Sequence, residues 1–265
     1  MTSPEADASP RTEDDHQLAT RIAAETGRLL VELRNDLVRR GVSRWELEDG
    51  GDLAAHDLIV ELLAEARPDD AVLSEEGVDD RSRLEHDRVW IVDPLDGTST
   101  FGQPPRADWA VHVALTESGR STAAAVSLPA LELVLSTEPA PVLPPRADGP
   151  VRVVASRWHP SAASLVVAEG LGGQLLGMGS AGAKAMAVVL GEADVYAHSG
   201  GQYEWDNCAP TAVAAAAGCH VSRLDGSELV YNGPSAYLGD FVICRPELTE
   251  PVMAVLDEAI RRGRG

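Results

Sequence analysis

The residues best equipped for chemistry are Asp93 and Asp96, set in the stretch Val89-Trp90-Ile91-Val92-Asp93-Pro94-Leu95-Asp96-Gly97-Thr98. The apolar run before Asp93 is the pattern of a strand buried on both faces. Pro94 fixes φ and carries no N–H, so the sequence predicts that the strand stops there. Both carboxylates then project from one strand end, where two anions repel unless a cation lies between them. Hard carboxylate oxygens on so short an arc suit Mg2+ better than a softer metal. Gly97-Thr98 can open a helix whose free N–H groups receive an anion. The competing reading is an Asp-Gly turn that closes a hairpin and leaves both acids solvated.

Three further clusters stand beside this one. Ser74-Glu75-Glu76 follows a short apolar run, so its acids sit at a strand end as a functional rim or as ordinary surface. Glu204-Trp205-Asp206-Asn207 places an acid directly before an Ala-rich helix, where Asp also serves as an N-cap. Gly177-Met178-Gly179-Ser180-Ala181-Gly182 is a literal G-x-G-x-x-G between a strand and a helix. A dinucleotide fold would need an acid at the end of the next strand, and that strand ends instead in Ala197-His198-Ser199-Gly200. What survives is small residues at a helix start with Lys184 close by, a setting that can hold a phosphate or hydroxyl.

These groups must be carried by regular elements. Met1–Asp15 reads as a polar, disordered tail. Leu18, Ile22, Leu29, Leu33 and Leu37 fall at helical spacing over 17–40, and Gly41 stands where that helix ends. Asp52 is expected at the start of a second helix that buries Leu58, Ile59, Leu62 and Leu63 and ends before Pro68. Ala71-Val72-Leu73 reads as a short strand, and three antiparallel strands follow the central stretch near 109–115, 123–128 and 131–136. The segment 138–150 holds five prolines and marks a boundary between an N-terminal α+β half, 16–140, and a C-terminal α/β half, 151–265. Strands near 151–156, 175–178, 195–197 and 241–244 alternate there with helices near 162–169, 183–190, 209–217 and from 250 onward. That alternation argues an α/β fold built in layers.

Composition narrows the function. No apolar run approaches ~20 residues, so the expectation is no membrane span. Cys208, Cys219 and Cys244 lack C-x-x-C spacing, which points to a reducing cytoplasm and away from a zinc site. The net charge of −20 argues against polymeric nucleic acid as a partner. A small anionic substrate would have to be held by local cations, and Lys184 is the one lysine in the chain.

At this point the chain resembles the Mg2+-dependent, lithium-sensitive inositol monophosphatase superfamily, and within it the bacterial 3′(2′),5′-bisphosphate nucleotidases of sulfur assimilation. The resemblance runs from about Ala19 to Cys244. It rests on Gly51-Asp52-Leu53-Ala54-Ala55-His56, Val72-Leu73-Ser74-Glu75-Glu76, Trp90 to Thr98, Ser156-Arg157 and Trp205-Asp206. It implies an α-β-α-β-α layered sandwich and hydrolysis of a small phosphorylated substrate such as 3′-phosphoadenosine 5′-phosphate or its phosphosulfate. It implies that Glu75, Asp93 and the Leu95 carbonyl hold one Mg2+, and that Asp93, Asp96 and Asp206 hold a second. Glu75 would hold a third, weaker ion, and counts with Asp52 and Thr98 among the catalytic residues. Asp52 and Thr98 would orient and deprotonate the attacking water, and the N–H groups of Gly97 and Thr98 would position the phosphate. Ser156, Ser180 and Lys184 match positions that meet the rest of the substrate, while Glu76 and Glu204 stand as acids near the site or at the surface. The resemblance admits a monomer or a homodimer.

One departure matters. After Asp-Gly-Thr the nucleotidases carry a basic residue, then Glu, then an aromatic; this chain has Ser99-Thr100-Phe101. An inositol 1-phosphate or fructose 1,6-bisphosphate phosphatase is therefore the alternative substrate reading. A dinucleotide oxidoreductase and a non-catalytic metal-binding relative are the alternatives from other classes.

Overall fold

The computed structural model describes residues 13–263. Residues 1–12 of the expected tail lie outside that range, and the expectation fails for Asp14 and Asp15. Asp14 caps helix α1 (Asp15–Arg40) in a capping box with Gln17, so the chain is already ordered there. Gly41 closes α1 in the left-handed region at φ 70°, as its position predicted.

Helix α2 (Arg44–Ala66) corrects a second expectation. It begins eight residues before Asp52, because Ser43 and Glu46 form their own capping box. Gly50 and Gly51 both lie inside the helix. A Cβ on Gly51 would stand 2.7 Å from Phe101 Cε1 and 2.9 Å from Leu95 Cδ2, so the glycine permits a close helix–strand approach. Asp52 is thereby placed in mid-helix, against the end of the central strand.

The first sheet runs in the order β1 (Ala71–Ser74), β2 (Arg88–Asp96), β3 (Ala110–Glu117), β4 (Arg120–Leu128), β5 (Leu133–Ser136), with β1 parallel to β2 and the rest antiparallel. β2 does not stop at Pro94. Its pairing with β3 shifts register between Asp93 and Asp96, a bulge that tolerates a residue without an N–H. A four-residue helix, α3 (Thr98–Phe101), follows at once behind Gly97.

Side-chain alternation sorts β2 and β3 between two cores. Trp90, Val92, Val111 and Val113 pack outward against α1 and α2. Val89, Ile91, Ala110 and Ala114 face inward, onto α5 (Ala181–Val189) and α6 (Glu204–Ala216). Asp93 and His112 continue the inward set and are direct cross-strand partners. The second sheet closes this middle layer from the far side. Its order is β7 (Gln174–Met178), β6 (Arg152–Ser156), β8 (Val195–Ser199), β10 (Asp240–Cys244), β9 (His220–Ser222). Helices α4 (Ala162–Gly170) and α7 (Thr249–Gly263) cover its outer face through Val167, Val252 and Leu256. The layers are α-β-α-β-α, the arrangement that the resemblance implied; the short edge strand β9 is a strand that sequence patterning missed.

Two devices fix the chain after β2. Arg34 of α1 is buried and donates to the carbonyls of Phe101 at 2.9 Å and Arg106 at 2.9 Å. The Phe101 and Trp109 rings meet edge to face at 5.0 Å, a contact worth about 0.5–1.5 kcal/mol beyond area burial. Among the described residues no helix is long and apolar enough to cross a membrane, and all three cysteines are free and buried.

Candidate active site

The ends of β1 and β2, the start of α5 and the start of α6 meet at one place. Parallel pairing sets Ser74 opposite Val92, so Glu75 arrives beside Asp93. Glu75 N donates to Val92 O at 3.4 Å, which fixes the end of β1 against β2 just before Asp93. Asp93, Asp96 and Asp206 each offer an oxygen within 4.8 Å of the others. Asp206 is the third residue of α6, not its cap; its Oδ2 accepts from Tyr203 N at 2.8 Å.

The electrostatics are those of a cluster short of positive charge. Burial pushes the Asp93 carboxyl well above its usual range, and Glu75, Asp96 and Asp206 push it further. Burial and Asp96 raise Asp206 to about 6. Burial and neighbouring acids raise Glu75 to about 7, although its position at the exposed rim lets water moderate the effect. Asp96 runs the other way. Burial would raise it, but His112, Lys184 and the Ser180 hydroxyl outweigh burial and hold it at about 2. It also accepts from Ala181 N at 3.1 Å and Gly182 N at 2.6 Å, at the start of α5. Buried hard oxygens that favour protonation without a counter-charge are a suitable donor set for a divalent cation.

Beside the cluster, Thr98 Oγ1 lies 3.1 Å from Asp52 Oδ1 and 3.1 Å from the Leu95 carbonyl. Burial, with Glu76 adding to it, raises Asp52 to about 7 against the opposing bond from Thr98. Gly97 holds φ 88°, and a Cβ there would stand 2.9 Å from Ser180 Cβ, so both backbone and space require glycine. The N–H groups of Thr98 and Ser99 have no partner within a helix this short.

The remaining expected residues fall around this centre. Ser180 caps α5, its Oγ accepting from Ala183 N at 2.8 Å. Ser156 ends β6 opposite Met178, and its Oγ accepts from His159 N at 3.2 Å. Lys184 is buried, and its Nζ donates to the carbonyls of Gly179 and Ser180 at 2.7 Å each, engaging two of its three N–H groups inside the loop. Burial lowers it to about 8 against the pull of Asp96, Asp206 and Asp108. Glu204 is no surface acid: it is buried and accepts from Asn232 N and Gly233 N at 2.7 and 2.8 Å. Thr100 is buried where the nucleotidases carry Glu, and a Cβ on Gly179 would collide with its hydroxyl, so the Gly179 loop sits directly on the shorter side chain.

Sequence reasoning missed two groups. His112, fully buried, sets Nε2 3.1 Å from Asp96 Oδ2 and Nδ1 3.0 Å from the Trp205 carbonyl. Its signal was a histidine inside the apolar run 109–115, on the parity of the inward-facing residues. Asp108 joins Arg157 at 2.8 Å and Gly179 N at 2.6 Å, tying the loop before β3 to the loops after β6 and β7.

The family model of the inositol monophosphatase family matches residues 16–139 and 154–261. A protein of Mycobacterium bovis named 3′-phosphoadenosine 5′-phosphate phosphatase is 44% identical over 246 residues, covering 89% of this chain and 91% of its own length. The Escherichia coli K12 protein named 3′(2′),5′-bisphosphate nucleotidase CysQ is 33% identical, covering 71% and 80%. The crystal structure of CysQ from Bacteroides thetaiotaomicron superposes with a TM-score of 0.75 at 25% identity, covering 89% of this chain and 99% of that one. With the layered fold, the gathered carboxylates and matches along most of its length, this chain belongs to the inositol monophosphatase family.

Proposed function

We propose that this chain is a Mg2+-dependent phosphomonoesterase that removes the 3′-phosphate of 3′-phosphoadenosine 5′-phosphate, or of its phosphosulfate. The observation that carries the reading is the convergence of Asp93, Asp96 and Asp206 within 4.8 Å beside the Gly97–Thr98 helix start. The 44% identity to a protein named for that substrate supports the choice of nucleotide.

Glu75, Asp93, Asp96, Asp206 and the Leu95 carbonyl would hold the cations, which when bound neutralise charge on the phosphate oxygens and on the departing oxygen. The protein's own groups do the rest. The N–H groups of Gly97 and Thr98 hold a phosphate oxygen. Thr98 Oγ1, bonded to Asp52, accepts the proton of the attacking water as the new P–O bond forms. Thr98 passes its own proton on to Asp52. The bond from phosphorus to the 3′ oxygen breaks with its electron pair going to that oxygen, and the oxygen takes a proton from a solvent water. Asp52 later returns its proton to solvent. Base assistance of this kind contributes ~10²–10⁴ in rate. Ser156 and Ser180, at adjoining loop ends, are proposed to meet the nucleoside, and Lys184 to shape their loop.

The test is a phosphate-release panel with Mg2+ on 3′-phosphoadenosine 5′-phosphate, inositol 1-phosphate and fructose 1,6-bisphosphate. The reading expects the highest kcat/KM on the nucleotide. A higher value on either sugar phosphate would overturn the substrate assignment.

A further inference from the structure

The strongest group that the proposed mechanism leaves unused is His112. It is fully buried on the inward face of β3, directly across from Asp93. Its two nitrogens reach two different elements: Nε2 lies 3.1 Å from Asp96 Oδ2 on β2, and Nδ1 lies 3.0 Å from the carbonyl of Trp205 on α6, one residue before Asp206. The ring occupies a notch that only a glycine leaves open, since a Cβ on Gly182 would fall 2.1 Å from Nε2. A ring that merely filled core volume would gain nothing from either polar contact. Phenylalanine would fill similar space and leave a buried carbonyl and a buried carboxylate without those partners.

We propose that His112 is a positioning residue that braces the β2 carboxylate Asp96 against the start of α6 and so sets the spacing between Asp96 and Asp206. The inference rests on the metal reading of the carboxylate cluster. Asp96 accepts hydrogen bonds from the Ala181 and Gly182 N–H groups and has the His112 ring at an ion-pair distance of 3.1 Å on its other side, so its free lone pairs face a fixed direction. Asp206 is tied to the same frame through the main chain of Trp205. Groups that orient metal ligands in this way are typically worth ~10–100-fold in metal affinity.

The test compares wild type with His112→Phe, His112→Gln, Gly182→Ala and Asp93→Asn. Mg2+ affinity is measured by calorimetry, and melting temperature with EDTA and with Mg2+. The proposal expects His112→Phe to weaken Mg2+ binding ~10–100-fold and to shrink the rise in melting temperature that Mg2+ produces. Its kcat should recover at saturating Mg2+ with KM little changed. His112→Gln keeps a donor toward Asp96 and should restore part of the affinity. Gly182→Ala leaves the histidine in place but displaces its ring, so it should weaken Mg2+ binding even if His112→Phe fails to fold. A purely structural role would lower the melting temperature equally with and without Mg2+ and leave Mg2+ affinity within about threefold in both His112→Gln and Gly182→Ala; that result overturns the proposal. Asp93→Asn separates the two levels. If it too leaves Mg2+ binding intact, the metal reading fails; if it abolishes binding while the His112 and Gly182 variants do not, the brace alone fails.

Discussion

Replacing Thr98 by alanine separates a structural hydroxyl from a chemical one. The hydroxyl sits 3.1 Å from both the Asp52 carboxylate and the Leu95 carbonyl, and its one proton serves one acceptor at a time. The cap of α3 is Gly97, so Thr98→Ala removes no helix cap. The structural loss is therefore one hydrogen bond, about 0.5–1.5 kcal/mol. Against a total stability of ~5–15 kcal/mol, that leaves nearly all molecules folded, so stability cannot explain a large loss of rate. If Thr98 and Asp52 take up the proton of the attacking water, kcat should fall ~10²–10⁴-fold, with KM and Mg2+ affinity little changed. Thr98→Ser should retain much of the activity. Asp52→Asn preserves size and a hydrogen-bond acceptor but not basicity, so it should resemble Thr98→Ala. The assay is initial phosphate release at saturating Mg2+ and substrate, with urea unfolding of each variant alongside. The double variant should be barely worse than either single one, as for groups that act as a unit. Fully multiplicative losses, or a kcat for Thr98→Ala within a few-fold of wild type, would refute the relay.

Asp93→Asn should lose Mg2+ affinity and turnover together, and near-normal rates at modest Mg2+ would show that Asp93 is not shared between ions. Without metal, Asp52 at about 7 and Asp206 at about 6 keep protons that the unfolded chain releases near pH 4. Stability in EDTA should therefore be greatest near pH 4–5 and fall as pH rises through ~7, with Mg2+ restoring it at pH 7.5; a melting temperature in EDTA that rises over that window contradicts the cluster's electrostatics. Gly51→Ala gains helix propensity of ~1 kcal/mol but pushes a Cβ onto Phe101 and Leu95. Overpacking of this kind costs ~1–3 kcal/mol, so urea unfolding should find the variant less stable, with kcat reduced as Asp52 moves off Thr98. A stabilised variant would show that α2 does not approach so closely.

The chemistry of the site was more legible than its carriage. Asp93 and Asp96 were readable because two carboxylates at a strand end are a local pattern, while Asp206, which local pattern left open as a helix cap, was added only through the family resemblance. Their convergence depends on a sheet pairing and a middle helical layer that no local window contains. Pro94 misled because a bulge, which only the partner strand β3 defines, allows β2 to continue past it. The need for Gly51 was hidden for a related reason: the Phe101 and Leu95 side chains that require its small volume come from a distant part of the sequence. His112 and Asp108 were overlooked because a lone polar residue looks neutral until its partners are known, and those partners lie on other elements. Lys184 stood out as the one lysine, yet burial turns its ammonium onto the carbonyls of its own loop.

The central claim is that these carboxylates gather a cation to cleave one particular phosphate ester. Its most direct measurement takes protein stripped with chelator, supplies 3′-phosphoadenosine 5′-phosphate, titrates Mg2+, and separates the nucleotide products while phosphate is counted. The account predicts no turnover before Mg2+ is added, then AMP and phosphate in equal amounts, with Asp206→Asn silent at the same Mg2+. Equal turnover in chelator, or 3′-AMP as the product, would contradict it.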